Sequence, residues 1–144
     1  MKIKITRIDK SLPLPRYQTD GSVGFDLYAR EETRIAPKSI ALIPANVIVE
    51  VPDGYMLVIV TRSSTPKRKG LVVPHGIVIL DRDYCGPNDE ALIQVYNITD
   101  NEVIVERGER IGQGVFVKVG IAEWEELDEA PRSKTRGGFG STGR

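Results

Sequence analysis

Two carboxylates stand two positions apart behind a short apolar run in Ile77-Val78-Ile79-Leu80-Asp81-Arg82-Asp83-Tyr84-Cys85-Gly86. Side chains at i and i+2 project to the same side of a strand, so Asp81 and Asp83 can share one site at a strand end. One can take a proton from water as general base while the other holds the turn. The same pair is also ordinary turn chemistry, with carboxylates accepting backbone N–H groups. A second candidate is Thr61-Arg62-Ser63-Ser64-Thr65-Pro66-Lys67-Arg68-Lys69-Gly70, an arginine, a run of hydroxyls and a basic cluster. Hydroxyls and N–H groups at the start of a turn suit phosphate oxygens, and Arg62 can bridge them. A solvated basic loop with a Ser/Thr helix cap has the same composition.

Three weaker signals accompany these. Arg107-Gly108-Glu109-Arg110-Ile111-Gly112-Gln113-Gly114 reads as a turn entering a strand. There Gln113 offers donor and acceptor, and its flanking glycines permit close approach of a ligand or, equally, form a bulged hairpin. Ser22-Val23-Gly24-Phe25-Asp26-Leu27 places Asp26 near a glycine at a strand start. From Pro131 onward the chain holds one large apolar side chain, Phe139, among Gly, Ser, Thr, Lys and Arg. Such a segment buries too little surface to offset its ordering entropy. It is either a frayed terminus or a flap whose arginines, N–H groups and hydroxyls wrap a polyphosphate. His75 is the only histidine and Cys85 the only cysteine, so no His/Cys metal cluster or disulfide framework is expected within one chain. Asn97-Ile98-Thr99 fits the glycosylation pattern but reads as a turn.

The elements that must position these residues are strands. Lys2–Arg7 alternates, Ser39–Val51 is a long apolar stretch bent at Pro44, and Tyr55–Val60 is almost wholly apolar. Ile77–Leu80, Ala91–Tyr96, Val103–Glu106 and Val115–Val119 follow, punctuated by Gly, Pro, Asn and Asp. Short β-branched segments at this spacing predict an all-β sandwich or barrel. The best helical windows, Gly86–Leu92 and Ala122–Leu127, are too short to sustain an amphipathic stripe.

A length of 144 residues predicts one domain, assigned to 1–130, followed by a tail over 131–144. Lys plus Arg and Asp plus Glu are 20 each, and aromatic residues are only 6%. A nucleic-acid-binding barrel needs a basic groove and stacking aromatics in surplus, so none is expected here. Phosphate chemistry must then come from placed residues. No apolar run approaches the roughly 18 residues of a membrane span, and Met1–Ile5 alternates without a signal-peptide core. The expectation is a cytoplasmic protein that does not engage a membrane.

The order of the motifs says more than any one of them. Gly24-Phe25-Asp26-Leu27, Arg62-Ser63-Ser64, Asp81-Arg82-Asp83-Tyr84-Cys85-Gly86, Gly108-Glu109-Arg110-Ile111-Gly112-Gln113 and Gly137-Gly138-Phe139-Gly140-Ser141-Thr142-Gly143 resemble, in register, the five motifs of the trimeric dUTP pyrophosphatases. That resemblance implies an all-β, jelly-roll-like fold and a homotrimer with active sites at subunit interfaces, hydrolysing dUTP to dUMP and pyrophosphate with Mg²⁺. It implies catalytic roles for Asp81, as the base activating water at the α-phosphorus, and for Arg62 and Ser63 at the phosphates. It implies substrate contacts from Ser64, His75, Gly76, Gln113 and Tyr84, the last beneath the deoxyribose. Asp26 would hold Mg²⁺ through water. In the tail, Phe139 would cover the uracil of a neighbouring subunit's site, with Arg136 (or Lys134), Gly140, Ser141 and Thr142 closing on the phosphates.

The chain departs from the family pattern at two positions of the uracil-reading hairpin: His75 stands where the family usually has Asn, and Val78 where it has Gly. An imidazole donates or accepts one hydrogen bond but cannot do both in amide geometry. The alternatives are therefore a related deoxynucleotide enzyme that admits cytosine, a dCTP pyrophosphatase or deaminase, and a catalytically weak nucleotide-binding module.

Overall fold

The computed structural model describes residues 1–138. Phe139, Gly140, Ser141 and Thr142 lie outside the described residues. Eleven strands and one short helix follow the alternation of apolar residues. They are β1 (Ile5–Arg7), β2 (Phe25–Tyr28), β3 (Thr33–Ile35), β4 (Ile40–Pro44), β5 (Val47–Val49), β6 (Tyr55–Thr61), α1 (Thr65–Lys69), β7 (Leu71–Val72), β8 (Val78–Leu80), β9 (Leu92–Asn97), β10 (Val103–Val105) and β11 (Arg110–Lys118). Every pairing is antiparallel. The largest sheet runs β2-β11-β6-β8, a second runs β4-β9-β7, and β1-β5 and β10-β3 form two-stranded ribbons.

Between the layers Leu27, Ile35, Ile43, Leu57, Ile59, Leu71, Ile93, Val95, Val105 and Ile111 are buried. Each such side chain contributes ~1.5–3 kcal/mol relative to exposure, before the ordering entropy is set against it. β2 is covered on both faces, since Phe25, Asp26 and Leu27 are all buried in succession. A buried strand core can hold one carboxylate only if that carboxylate is fully partnered.

The strand expectations hold, with two corrections of detail. The bend between β4 and β5 falls on Asn46 (φ 65°), whereas Pro44 closes β4 in pair with Leu92. Asn46 meets that backbone demand by clamping Asp9, accepting from its N–H at 2.6 Å and donating to its carbonyl at 3.0 Å. The helix lies in neither expected window. Its signal is local: Ser64 at the N-cap, Pro66 in the first turn and Gly70 at the C-cap with φ 64°. Asn97 is buried and donates to the carbonyls of Ile35, Ala36 and Asn101, so its amide is structural. Beyond Lys118 the chain forms no strand or helix among the described residues, and 120–138 is exposed throughout.

Candidate active site

The Gly112-Gln113-Gly114 run in β11 shows how the site is built from the core outward. A Cβ at Gly112 would meet Ile93 Cδ1 at 2.7 Å, and one at Gly114 would meet the Phe25 ring at 2.4 Å. Both glycines therefore face packing that has no room for a side chain. Gln113, between them, projects to the opposite face. It pairs with Asp26 of β2 across one edge of β11 and with Val60 of β6 across the other.

Asp26 is fully buried and gathers three donors. Gln113 Nε2 donates to Oδ1 at 3.1 Å, Arg110 Nη1 to Oδ2 at 3.1 Å, and Arg62 Nε lies 3.2 Å from Oδ1. One carboxylate thus sets the orientation of two guanidiniums and an amide, contributed by β11 and by the loop that follows β6. Arg62 leaves the end of β6, and its backbone N–H donates to Ile111 O at 3.3 Å. The tight turn that follows closes with Thr65 N–H on Arg62 O at 2.9 Å. Ser63 is exposed, and the Ser64 side chain makes no capping bond to α1.

Arg62, Ser64, Thr65, Arg68, Lys69 and Arg110 line a hollow of about 350 Å³, with Glu109 as its one acid. Glu109 is paired with Lys69 at 2.8 Å, and Lys69 Nζ also donates to Ile104 O at 2.7 Å. The three arginines are left to face the hollow as charge-assisted donors suited to phosphate oxygens. Arg110, Arg68 and Lys69 received no individual role from the sequence. Their signal was present in the basic cluster before Gly70 and in the Gly-Glu-Arg run, but only the register of β11 on β6 brings the two segments together.

Asp81 lies elsewhere. β8 pairs with β6 through Leu80 opposite Leu57, so Asp81 emerges beside the start of β6, whereas Arg62 leaves its end. The separation along β6, from Met56 to Arg62, is roughly 20 Å at about 3.3 Å per residue. Asp81 and Asp83 are exposed and line one hollow of about 620 Å³ with Asp53, Arg82, Ile79, Val119 and Ile121. Arg82 pairs with Asp53 across this loop. Tyr84 is half-buried against the core and donates its hydroxyl to Glu90 O at 3.2 Å. His75 and Gly76 sit exposed in the turn at the other end of β8, where Gly76 takes φ 88° and donates to Val73 O at 3.1 Å. Arg136 and Lys134 lie in the exposed C-terminal segment.

The chain therefore brings together Asp26, Arg62, Ser64, Gln113 and Arg110, and keeps Asp81 and the neighbouring Tyr84 apart from them. No group of three or more His, Cys, Asp or Glu converges as a metal nest among the described residues. Asp26, the one expected metal contact, has both oxygens engaged by protein donors.

The dUTPase family profile matches residues 10–143. The chain belongs to the dUTPase family. It is 41% identical over 152 aligned residues to a deoxyuridine 5'-triphosphate nucleotidohydrolase of Helicobacter pylori, covering 99% of this chain and 97% of that protein. Among solved structures, the dUTPase of Streptococcus mutans superposes with a TM-score of 0.76 at 33% identity, over 83% of this chain and 98% of that one. The dUTPase of phage phi11 of S. aureus, whose structure describes coordination of a structural Mg(II) ion, matches with a TM-score of 0.79 over 90% of this chain and 98% of its own, at 18% identity. That last likeness is one of fold. The dUTPase fold is the all-β, jelly-roll architecture seen here.

Proposed function

We propose that this chain hydrolyses dUTP to dUMP and pyrophosphate, and that it does so as a homotrimer whose subunits share their active sites. The observation that carries the reading is the division of the site within one chain. In-line attack requires water within about 3–3.5 Å of the phosphorus, and Asp81 stands roughly 20 Å along β6 from the arginines that would hold the phosphates. A second copy supplying its Asp81 loop to the first copy's Arg62–Gln113 hollow brings base and phosphates together. The exposed apolar side chains around Asp81, Ile79 at 49% and Ile121 at 88%, are ones that a neighbouring copy would cover.

In this reading Asp81 accepts a proton as a water oxygen bonds to the α-phosphorus, and the bond from that phosphorus to the α,β-bridging oxygen breaks to release pyrophosphate. Arg62, Arg110 and the amide of Gln113 are already oriented by Asp26, so they neutralise the phosphates without reorganising during the reaction. Ser63 and Ser64 hydroxyls complete the oxygen contacts, while Tyr84 stacks beneath the deoxyribose. His75 and Gly76 present the base-reading turn. Mg²⁺ would supply charge neutralisation on the triphosphate, with Asp26 holding it through water. The segment from 131, with Arg136 or Lys134 and residues 139–142, closes over the bound nucleotide.

Pyrophosphate release from dUTP, dCTP, dTTP and UTP, each with and without Mg²⁺, tests the activity. Turnover of dUTP alone, dependent on Mg²⁺, is expected. Comparable turnover of dCTP would favour the second reading, altered base choice, which rests on His75 and Val78. Mixing inactive Asp81→Asn protein with inactive Arg62→Ala protein tests the shared site. Reassembled mixtures should regain part of the activity, since some sites then receive an intact Asp81 and an intact Arg62. No regain would show that base and phosphate residues act within one chain.

A further inference from the structure

Tyr84 has a single phenolic hydrogen, and the structure commits it to the main-chain oxygen of Glu90 at 3.2 Å. Where that carbonyl stands is decided by the Glu90 side chain. Its carboxylate takes Arg30 Nε in two bonds of 2.9 and 3.1 Å and the backbone N–H of Asn46 at 2.8 Å. Both anchors belong to the rigid body: Arg30 follows β2 and its own N–H donates to Pro44 O at 2.8 Å, and Asn46 is buried in the β4–β5 turn. The Glu90 side chain is only 12% exposed, which shields these bonds from competing water. The Arg30 guanidinium is held protonated above its ordinary range, chiefly by its hydrogen bond to Glu90.

We propose that Arg30 and Glu90 are positioning residues for sugar selection, fixing Tyr84 so that it presents a ring face and no hydrogen-bond donor to the nucleotide's 2′ carbon. This rests on the reading of Tyr84 as the residue beneath the deoxyribose. A 2′-methylene pressed onto the ring loses nothing. A ribose 2′-hydroxyl in the same place loses its water against the ring face and finds no donor, because the one phenolic hydrogen is committed to Glu90 O. Released from Glu90, the ring can recede or turn its hydroxyl to meet the 2′-oxygen, and either movement admits ribose. The discrimination is therefore enforced by residues that never touch the substrate.

The test compares kcat/KM for dUTP and UTP, with Tm, in the full-length protein and in Arg30→Met, Glu90→Gln and Tyr84→Phe. Each variant should lose about tenfold of the dUTP-over-UTP ratio, out of the ~10²-fold that a pocket can exert against one added hydroxyl. Arg30→Lys, which keeps the cation, should recover part of the ratio lost in Arg30→Met. Should Arg30→Met or Glu90→Gln fail to fold, Tyr84→Phe decides, since it deletes one oxygen and leaves the Arg30–Glu90 pair intact. A lowered Tm with an unchanged ratio in the variants would assign the pair to stability alone and overturn the proposal. Absence of dUTP turnover in the unsubstituted protein overturns the functional reading, and this inference with it. A selective parent whose variants are equally selective overturns this inference only.

Discussion

At one end of β6, Arg62 is drawn onto a buried carboxylate that also holds Arg110 and Gln113, while beside the other end Asp81 stands exposed in a loop tied down by Tyr84 and by the Arg82–Asp53 pair. The first end is assembled before any ligand arrives. Its charges are fixed by a side chain that cannot leave the core, the arrangement that makes electrostatic stabilisation effective. The second end holds its reactive group in water with no phosphate site near it. Binding residues can be completed within one subunit because they need only orientation. On the proposed reading, the base needs a partner surface, because its substrate atom is held elsewhere.

The hardest way to break this contrast is Asp81→Asn. On the reading above, it should lower kcat by about 10³-fold, within the ~10²–10⁴ range of general-base catalysis, while leaving affinity for a non-hydrolysable dUTP analogue nearly unchanged. Equal loss of binding and turnover would place Asp81 among the phosphate contacts.

Next in size is the C-terminal segment. Residues 132–138 are exposed and add no strand or helix. Removing 132–144 should leave the thermal unfolding curve in place and reduce kcat/KM by about 10²-fold, the scale on which lost positioning acts. An unfolded product would instead make the segment part of the structural body.

Asp26→Asn probes the preassembled end. It should cost about 2–3 kcal/mol, below the ~3–5 of a broken fully buried pair, because the Arg62 and Arg110 side chains remain 30% and 42% exposed and reach solvent. KM for dUTP should rise together with this loss, as measured by denaturant titration beside steady-state kinetics. A loss of stability without any rise in KM would separate the carboxylate from the phosphate site.

The smallest effect lies far from both ends. Asp9 is held well below the ordinary carboxylate range, first by the Ser11 hydroxyl at 2.6 Å and then by Arg107 at 2.5 Å. A carboxylate whose folded pKa is depressed gives stability present above its unfolded value, near 3.8, and lost as pH falls toward the folded one. Arg107→Gln should therefore lower Tm slightly at neutral pH, by an amount that shrinks progressively as the pH is taken below 3.8, with activity unaffected. A difference that stays constant as the pH falls below 3.8 would exclude the ion pair as its cause.

The strands were legible because a half-buried sheet writes its period into the chain. Ile77–Leu80 and Ala91–Tyr96 are apolar blocks in the sequence and β8 and β9 in the fold. The helix was missed because α1 is five residues long, and its evidence lies in Ser64, Pro66 and Gly70 instead of in a stripe. Gly112 and Gly114 carry two readings in the sequence, room for a ligand or a bulged hairpin. The pairing of β11 with β2 shifts register between Arg110 and Gly112, as a bulge does, and Ile93 and the Phe25 ring occupy the space where the side chains would stand.

By itself, the sequence determined which residues can do chemistry here, because proton transfer, guanidinium bridging and ring stacking belong to residue types and survive any arrangement of the chain. It also determined that those residues ride on short strands. Only the tertiary structure decided how they combine. Asp26 reads as an isolated carboxylate until the β2–β11 register sets it against Gln113, and Arg110 acquires a role only when it meets Arg62 on that same carboxylate. Asp81 sits 19 positions after Arg62 in the sequence, yet the antiparallel pairing of β6 with β8 sends them to opposite ends of the sheet. Strand direction and register are set by the burial of both faces at once, a constraint that no single segment carries.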